Sequence, residues 1–203
     1  MTFKTRIYLI RHGEVAGAET PRYNGHADVA LTERGMAQNH ELKEHLASAG
    51  ITACYTSDLQ RCVVGAEIIG DYLRMVPVRK SNLRELNIGI WEGMTWAEII
   101  DKYPVQWQAR LADIVNYRVE GGENLLDLQG RLMPTVREIV ERHMGEAVLL
   151  VAHGGANRVI LLNAIGAPLS SLFAIEQDYC CLNIIDYYAD GNAVVKLLNG
   201  REP

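Results

Sequence analysis

Two histidines and two arginines in this sequence have types and settings suited to holding a small anion. His12 stands in Arg11-His12-Gly13-Glu14, directly after the apolar run Ile7 to Ile10. His153 stands in Ala152-His153-Gly154-Gly155, after the apolar run from Ala147. A glycine beside each histidine lets the backbone N–H come close to a ligand. Arg61 follows Thr56-Ser57-Asp58-Leu59-Gln60, and arginine offers a planar fork that meets phosphate oxygens in pairs. Taken singly, each residue has an ordinary reading: a histidine is usually core or surface, and an arginine usually an ion-pair partner. Only convergence on one rim makes them a site.

The elements around them predict that convergence. Arg6 to Arg11 reads as a short buried strand stopped by Gly13, and Ala147 to Ala152 as a second, continuous apolar strand of the kind parallel sheets need. Ile51 to Thr56 is a third, and Met75 to Val78 a weaker candidate because Pro77 prefers a strand end. Thr32 is an N-cap for a helix, Arg61 to Tyr72 has helical spacing, and Asn157 to Ile165 is a helix stopped by Gly166 and Pro168. Thr95-Trp96-Ala97-Glu98 has the spacing of a capping box, and Pro104 interrupts the helix that it opens. Asn124 caps a long helix to about His143, in which Pro134 predicts a kink or a broken turn. Two strands flanking Asp190-Gly191 read as a hairpin.

Strands alternating with helices give a three-layer α/β/α sandwich whose sheet is mostly parallel, with a strand-free helical lid insertion over about 92–145. We read the whole chain, 1–203, as one domain. In such sheets ligands bind beyond the carboxyl ends of the strands. His12, Arg11, His153 and Arg61 then share that rim, with a helix N-terminus near Gly154 and Gly155 adding N–H donors.

Composition narrows the partners. Lys+Arg 20 against Asp+Glu 25 gives 20 − 25 = −5 over 203 residues. That balance argues against nucleic acid and anionic membranes, whose binders carry a broad basic excess. Hydrophobic residues at 48% and charged at 22% suit a chain that buries its own core. Cys54, Cys62, Cys180 and Cys181 contain no CxxC pair and are expected to be free thiols, without zinc. The run after Met1-Thr2-Phe3-Lys4-Thr5-Arg6 is too short for a signal h-region, so the cytoplasm is the expected location. Oligomeric state is left open by the sequence.

Beyond these residue-level readings, Tyr8-Leu9-Ile10-Arg11-His12-Gly13-Glu14 resembles the signature of the histidine phosphatase superfamily, the phosphoglycerate-mutase-like enzymes. Gly25-His26-Ala27-Asp28 with Leu31-Thr32-Glu33-Arg34-Gly35 resembles its loop and first helix. Ser57-Asp58-Leu59-Gln60-Arg61-Cys62 resembles its second motif and Leu83-Arg84-Glu85-Leu86 with Gly89, Trp91, Glu92 and Gly93 its third. Gly121-Gly122-Glu123 resembles the lid motif, and His153-Gly154 the last. The resemblance implies a phosphatase without metal or cofactor, acting on a small phosphate ester. His12 would form a phosphohistidine, and Arg11, Arg61 and His153 would surround the phosphoryl oxygens. Glu85 would protonate the departing oxygen and then take a proton from water, with Glu92 as its nearby rival. The acid role requires a protonated carboxyl at the start, with Arg84 directed elsewhere.

Three positions depart from the family pattern. Val15 and Ala18 replace a usual threonine and a phosphate-contacting asparagine, and Gly65 stands where threonine is common. Asn24, before Gly25, is the candidate to replace the lost contact. Trp91, Trp96, Tyr103 and Trp107 line the substrate's far end or form lid core. The passage from Leu83 to Gly93 straight into Met94-Thr95-Trp96 resembles the short phosphatase form, whereas mutases of the family carry an insertion there. Tyr23-Asn24-Gly25-His26, Asp178-Tyr179-Cys180-Cys181 and Asn199-Gly200-Arg201 resemble the α-ribazole phosphatases of cobalamin biosynthesis. Alternatives are a phosphoglycerate mutase, a broad-specificity phosphatase and a non-catalytic binder of phosphorylated ligands.

Overall fold

The computed structural model describes residues 3–201; Met1 and Thr2, part of the N-terminal stretch weighed above, lie outside them. Six strands, β1 (Lys4–Arg11), β2 (Ile51–Thr56), β3 (Val78–Arg79), β4 (Ala147–Ala152), β5 (Leu182–Tyr188) and β6 (Ala193–Gly200), form one sheet. Their order in it is β3-β2-β4-β1-β5-β6. β1, β4, β2 and β3 pair in parallel, while β5 runs antiparallel to β1 and forms the expected hairpin with β6.

Alternation along the central strands explains the two helical layers. Ile7 and Leu9 of β1 with Val148 and Leu150 of β4 face one core, and Tyr8 and Ile10 with Leu149 and Val151 face the other. Both faces are buried, so the strands read as unbroken apolar runs. On the second face lie α1 (Glu33–His45) and α2 (Gln60–Leu73), which contribute Leu42, Cys62, Ala66 and Ile69. On the first lie α5 (Leu125–Arg142) and α6 (Gly154–Ala164), with Leu128, Leu132, Val136 and Ile139 as the α5 stripe. Each such side chain contributes roughly 1.5–3 kcal/mol on full burial. β1 leads to α1 on one face and its neighbour β4 to α6 on the other, so a crevice opens between their carboxyl ends.

Four sequence expectations are corrected. The helical insertion does not extend to about 145: α5 packs on the sheet as a layer helix. The covering segment is therefore α3 (Trp96–Lys102), α4 (Pro104–Ala112) and the loop that follows. Of the kink or broken turn expected at Pro134, the broken turn is absent, since α5 runs continuously over 18 residues; a proline there forfeits one bond, to the Gly130 carbonyl. The strand expected over Met75 to Val78 is only Val78–Arg79, because the Met75 N–H closes α2 by donating to the Gly70 carbonyl at 2.8 Å. Finally, α6 begins at Gly154 rather than Asn157, with His153 at its N-cap. The caps at Thr32, Thr95 and Asn124 form as expected, the last two as full capping boxes. The four cysteines are free and buried.

Candidate active site

The carboxyl ends of β1, β2 and β4 meet in one place. The His12 N–H donates to the Ala152 carbonyl at 3.0 Å and the Ser57 N–H to the Val151 carbonyl at 3.0 Å, so the sheet ladder carries past the strands into the site. Above it opens a cavity of about 470 Å³, within the range of small-molecule sites. His12, Arg11, Arg61, Glu85, Asn24 and Gly25 all line it.

His12 is 6% exposed, and its Nδ1 lies 2.8 Å from the carbonyl oxygen of its neighbour Gly13. A carbonyl only accepts, so Nδ1 carries the proton and Nε2 the lone pair. Burial first, then the Arg11 and Arg61 charges, holds the imidazole well below its ordinary pKa and therefore neutral. A neutral imidazole with Nε2 free is a nucleophile.

Arg61 is almost wholly buried, yet each of its nitrogens has an acceptor: Nη2 donates to Gly25 O at 2.7 Å, Nη1 to Ala27 O at 2.7 Å and Nε to His153 Nδ1 at 3.2 Å. Arg11 donates from Nη1 to Gln177 O at 2.6 Å and stacks 4.0 Å from the Tyr179 ring centroid, while its Nε is buried without a partner.

His153 is placed differently from the sequence expectation. It is fully buried and does not line the cavity: Nδ1 accepts from Arg61 and Nε2 donates to Ser57 Oγ at 2.9 Å. Its ring meets that of His12 edge-on, centroids 5.3 Å apart. Burial, then the Arg61 charge, keeps it neutral as well. In this arrangement it braces His12 and Arg61 from behind. Gly154 likewise faces inward, and an added Cβ would stand 3.3 Å from Arg11 Nε; Gly155 is the glycine that lines the cavity.

Glu85 reaches the start of α6. Its Oε2 accepts from Gly155 N at 2.8 Å, and its Oε1 from Ala156 N at 3.1 Å and Leu86 N at 2.8 Å. A carboxylate 70 residues away thus caps two orphan N–H groups of the first turn. The fit demands glycine at 155, where a Cβ would come 2.5 Å from Glu85 Oε1. Arg131 holds the loop from behind, donating to the carbonyls of Arg84 at 2.9 Å and Glu85 at 2.6 Å while paired with Glu123 at 2.7 Å. Glu123 in turn accepts from Asn87 N at 3.0 Å. Gly122 permits this approach, since a Cβ there would lie 2.6 Å from Asn87 O. Arg84 points away, in a bidentate pair with Asp58 at 2.6 and 2.7 Å.

The rival Glu92 lies outside the cavity lining. It binds the N–H groups of His26, Ala27 and Ile88 at 2.8, 3.0 and 3.2 Å and so shapes the loop carrying Gly25. Ala18 and Asn24 both line the cavity, whereas Val15 is core. Gly65 is explained by Asn39, whose Oδ1 would stand 2.7 Å from an added Cβ. Among the aromatics, Trp96 lines the cavity, whereas Trp91 is fully buried with Tyr103, Trp107 and Tyr117 around it at 6.1–6.4 Å. Arg158, Arg110 and the bracing Arg131 were not singled out by sequence reasoning, and Ser57 and Tyr179 entered it only within longer motifs, without roles of their own. No local pattern gives these roles, since each depends on a distant partner. Among the described residues, no group of three or more His, Cys, Asp or Glu side chains is placed to hold a metal ion, and no helix is long and apolar enough to cross a membrane.

Comparison with known proteins identifies the family. The model of the histidine phosphatase superfamily (branch 1) matches residues 7–200. "Bifunctional protein Rv2228c" of Mycobacterium tuberculosis is 32% identical over 96% of this chain and 54% of its own length. The chain thus spans about half the length of that mycobacterial relative. "Probable phosphoglycerate mutase GpmB" of Yersinia pestis is 31% identical over 90% of this chain and 85% of its own. The crystal structure of the alpha-ribazole phosphatase from Shigella flexneri superposes with a TM-score of 0.89 at 25% identity, covering 97% of both chains. The chain belongs to the histidine phosphatase superfamily, branch 1.

Proposed function

We propose that this protein is a phosphomonoesterase, acting without a metal on a small phosphorylated metabolite through a phosphohistidine on His12. The observation that carries the reading is His12 itself: neutral, with Nδ1 locked on Gly13 and Nε2 unbonded among the described residues. It shares a cavity with Arg11, Arg61 and Glu85.

Nε2 attacks phosphorus, the bond to the ester oxygen breaks, and that oxygen takes a proton from Glu85. Water then attacks the phosphohistidine, Glu85 takes its proton, and phosphate leaves from His12. Arg11 and Arg61, already oriented, stabilise the charge on the transferring group. Leu86 N, Gly155 N and Ala156 N orient the Glu85 carboxyl; the proton for the first step enters with the ester, whose second ionisation lies near pH ~6, and the attacking water restores it. His153 positions His12 and Arg61.

The Shigella neighbour supports α-ribazole 5′-phosphate as one candidate substrate, together with the Tyr23-Asn24-Gly25-His26 loop. The Yersinia relative supports a second reading, in which the phosphoryl group passes to another hydroxyl rather than to water. A binder without activity is disfavoured because His12 and Glu85 are both present. The test is turnover of α-ribazole 5′-phosphate, 3-phosphoglycerate and p-nitrophenyl phosphate with EDTA present. Phosphate release that disappears in His12→Ala is expected. Interconversion of phosphoglycerates without release would replace the phosphatase by the mutase, and no turnover of any ester would leave the binder.

A further inference from the structure

Where the covering helix α4, rather than the strand ends, borders the cavity stands a buried charge with no protein partner among the described residues. Arg110, in the last turn of α4, is 3% exposed. Arg110 lines the cavity; among the described residues its guanidinium donates no hydrogen bond and pairs with no carboxylate, and its Nη1 is fully enclosed. Four other arginines line the same cavity, and each has an acceptor: Arg11 on Gln177 O, Arg22 on Gly93 O, Arg61 on Gly25 O and Ala27 O, and Arg158 on Ile175 O. The Tyr23 ring stands 5.7 Å from the central carbon of the Arg110 guanidinium. An aromatic face offsets part of the charge but accepts none of the five N–H groups in the guanidinium plane.

A guanidinium removed from water without an acceptor is costly, and arginine cannot escape the cost by losing its proton. We infer that Arg110 is a specificity-determining residue, and that the physiological substrate is a phosphate monoester whose other end carries a second anion, a carboxylate or a further phosphate. Such a group supplies both the acceptors and the counter-charge; a neutral hydroxyl supplies only the first. The placement fits one ligand spanning both ends. Arg110 stands over Tyr23, two residues before Gly25, whose carbonyl holds Arg61. The exposed Arg22 lies at the mouth on the same loop. The inference rests on the phosphatase reading for the near end of the cavity. It ranks acidic esters above α-ribazole 5′-phosphate, whose far end is not anionic.

The test compares matched esters differing in that second anion. One pair is 3-phosphoglycerate against glycerol 3-phosphate, for a carboxylate; the other is fructose 1,6-bisphosphate against fructose 6-phosphate, for a phosphate. The quantity is the ratio of kcat/KM within a pair, in the wild type, Arg110→Met and Arg110→Lys. The wild type is expected to favour the acidic member of at least one pair by tenfold or more, with most of the difference in KM. Arg110→Met abolishes that preference and Arg110→Lys retains part of it. A wild-type ratio near one in both pairs overturns the inference and leaves the phosphatase intact, as does a preference that survives in Arg110→Met. Should Arg110→Met not fold, Arg110→Lys and the wild-type ratios decide. If no ester is turned over at all, the phosphatase reading fails on its own. The same pairs are then compared by titration calorimetry, where equal affinities overturn the inference and a tenfold preference lost in the variants sustains it.

Discussion

The two ends of the cavity are built on opposite principles. At the strand ends, His12, Arg61 and His153 are buried and tied: a backbone carbonyl fixes one imidazole, Ser57 and Arg61 fix the other, and three acceptors hold the guanidinium. On the covering helix α4, Arg110 is about as buried and has no hydrogen-bond or ion-pair partner among the described residues. Groups that stabilise a transition state gain from being oriented in advance, because no reorganisation is left for the moment of reaction. A group that recognises a ligand can leave its acceptors to the ligand, at a cost to the empty fold. The near end is therefore organised for reaction and the far end for selection.

The contrast can be broken most sharply at the near end. His12→Ala removes the nucleophile, and kcat on p-nitrophenyl phosphate is expected to fall by about 10⁴-fold or more; a fall below tenfold would remove His12 from the chemistry. Gly155→Ala is the next largest. Its methyl group would occupy the place of Glu85 Oε1, 2.5 Å away. Displacing the carboxylate is expected to cost about 10²-fold or more in kcat, with circular dichroism showing the fold retained.

Stability sharpens the same comparison. Arg61→Met leaves the carbonyls of Gly25 and Ala27 and the Nδ1 of His153 without their donor, and about 3 kcal/mol of stability is expected to be lost. In a chain of this size that is a fall in Tm of roughly 6–12 °C. Arg110→Met removes a charge that the empty protein leaves uncompensated, so Tm is expected to stay level or rise. Equal losses in the two variants would erase the distinction between the ends.

The smallest effect is on pH dependence. Burial holds His12 and His153 neutral in the folded chain, well below the ordinary value of 6.5. The unfolded chain then binds more protons below that pH. Each histidine therefore contributes stability that is complete above pH 6.5 and is lost on acidification, at about 1.4 kcal/mol per unit. Denaturant unfolding at pH 7, 6 and 5 checks this, and the slope should be shallower in His153→Gln. An unchanged slope would mean that His153 does not titrate against the fold.

Much of this arrangement was legible in the sequence, and what was not shares a cause. The strand-end histidines, Arg61 and the caps at Thr32, Thr95 and Asn124 follow from patterns a few residues long. The start of α6 does not, because the group that satisfies its first N–H donors is Glu85, far away in the chain. The same distance hides the brace from Arg131 to the Glu85 loop and the role of Ser57 behind His153. The boundary of the covering segment was misplaced because an amphipathic stripe shows that α5 packs, not what it packs on. The charge of −5 proved uninformative about phosphate, since the cavity gathers five arginines irrespective of the net balance.

The central claim is that the phosphoryl group rests on His12. The direct measurement mixes enzyme with a phosphate monoester that it turns over, quenches within the first turnover under alkaline conditions, and locates the modification by mass spectrometry. The account predicts a phosphoryl group on His12, labile to acid, approaching one per active chain when breakdown is the slower step, and absent from His12→Ala. Steady phosphate release with no phosphoenzyme at any quench time, or a phosphoryl group on another residue, would contradict it.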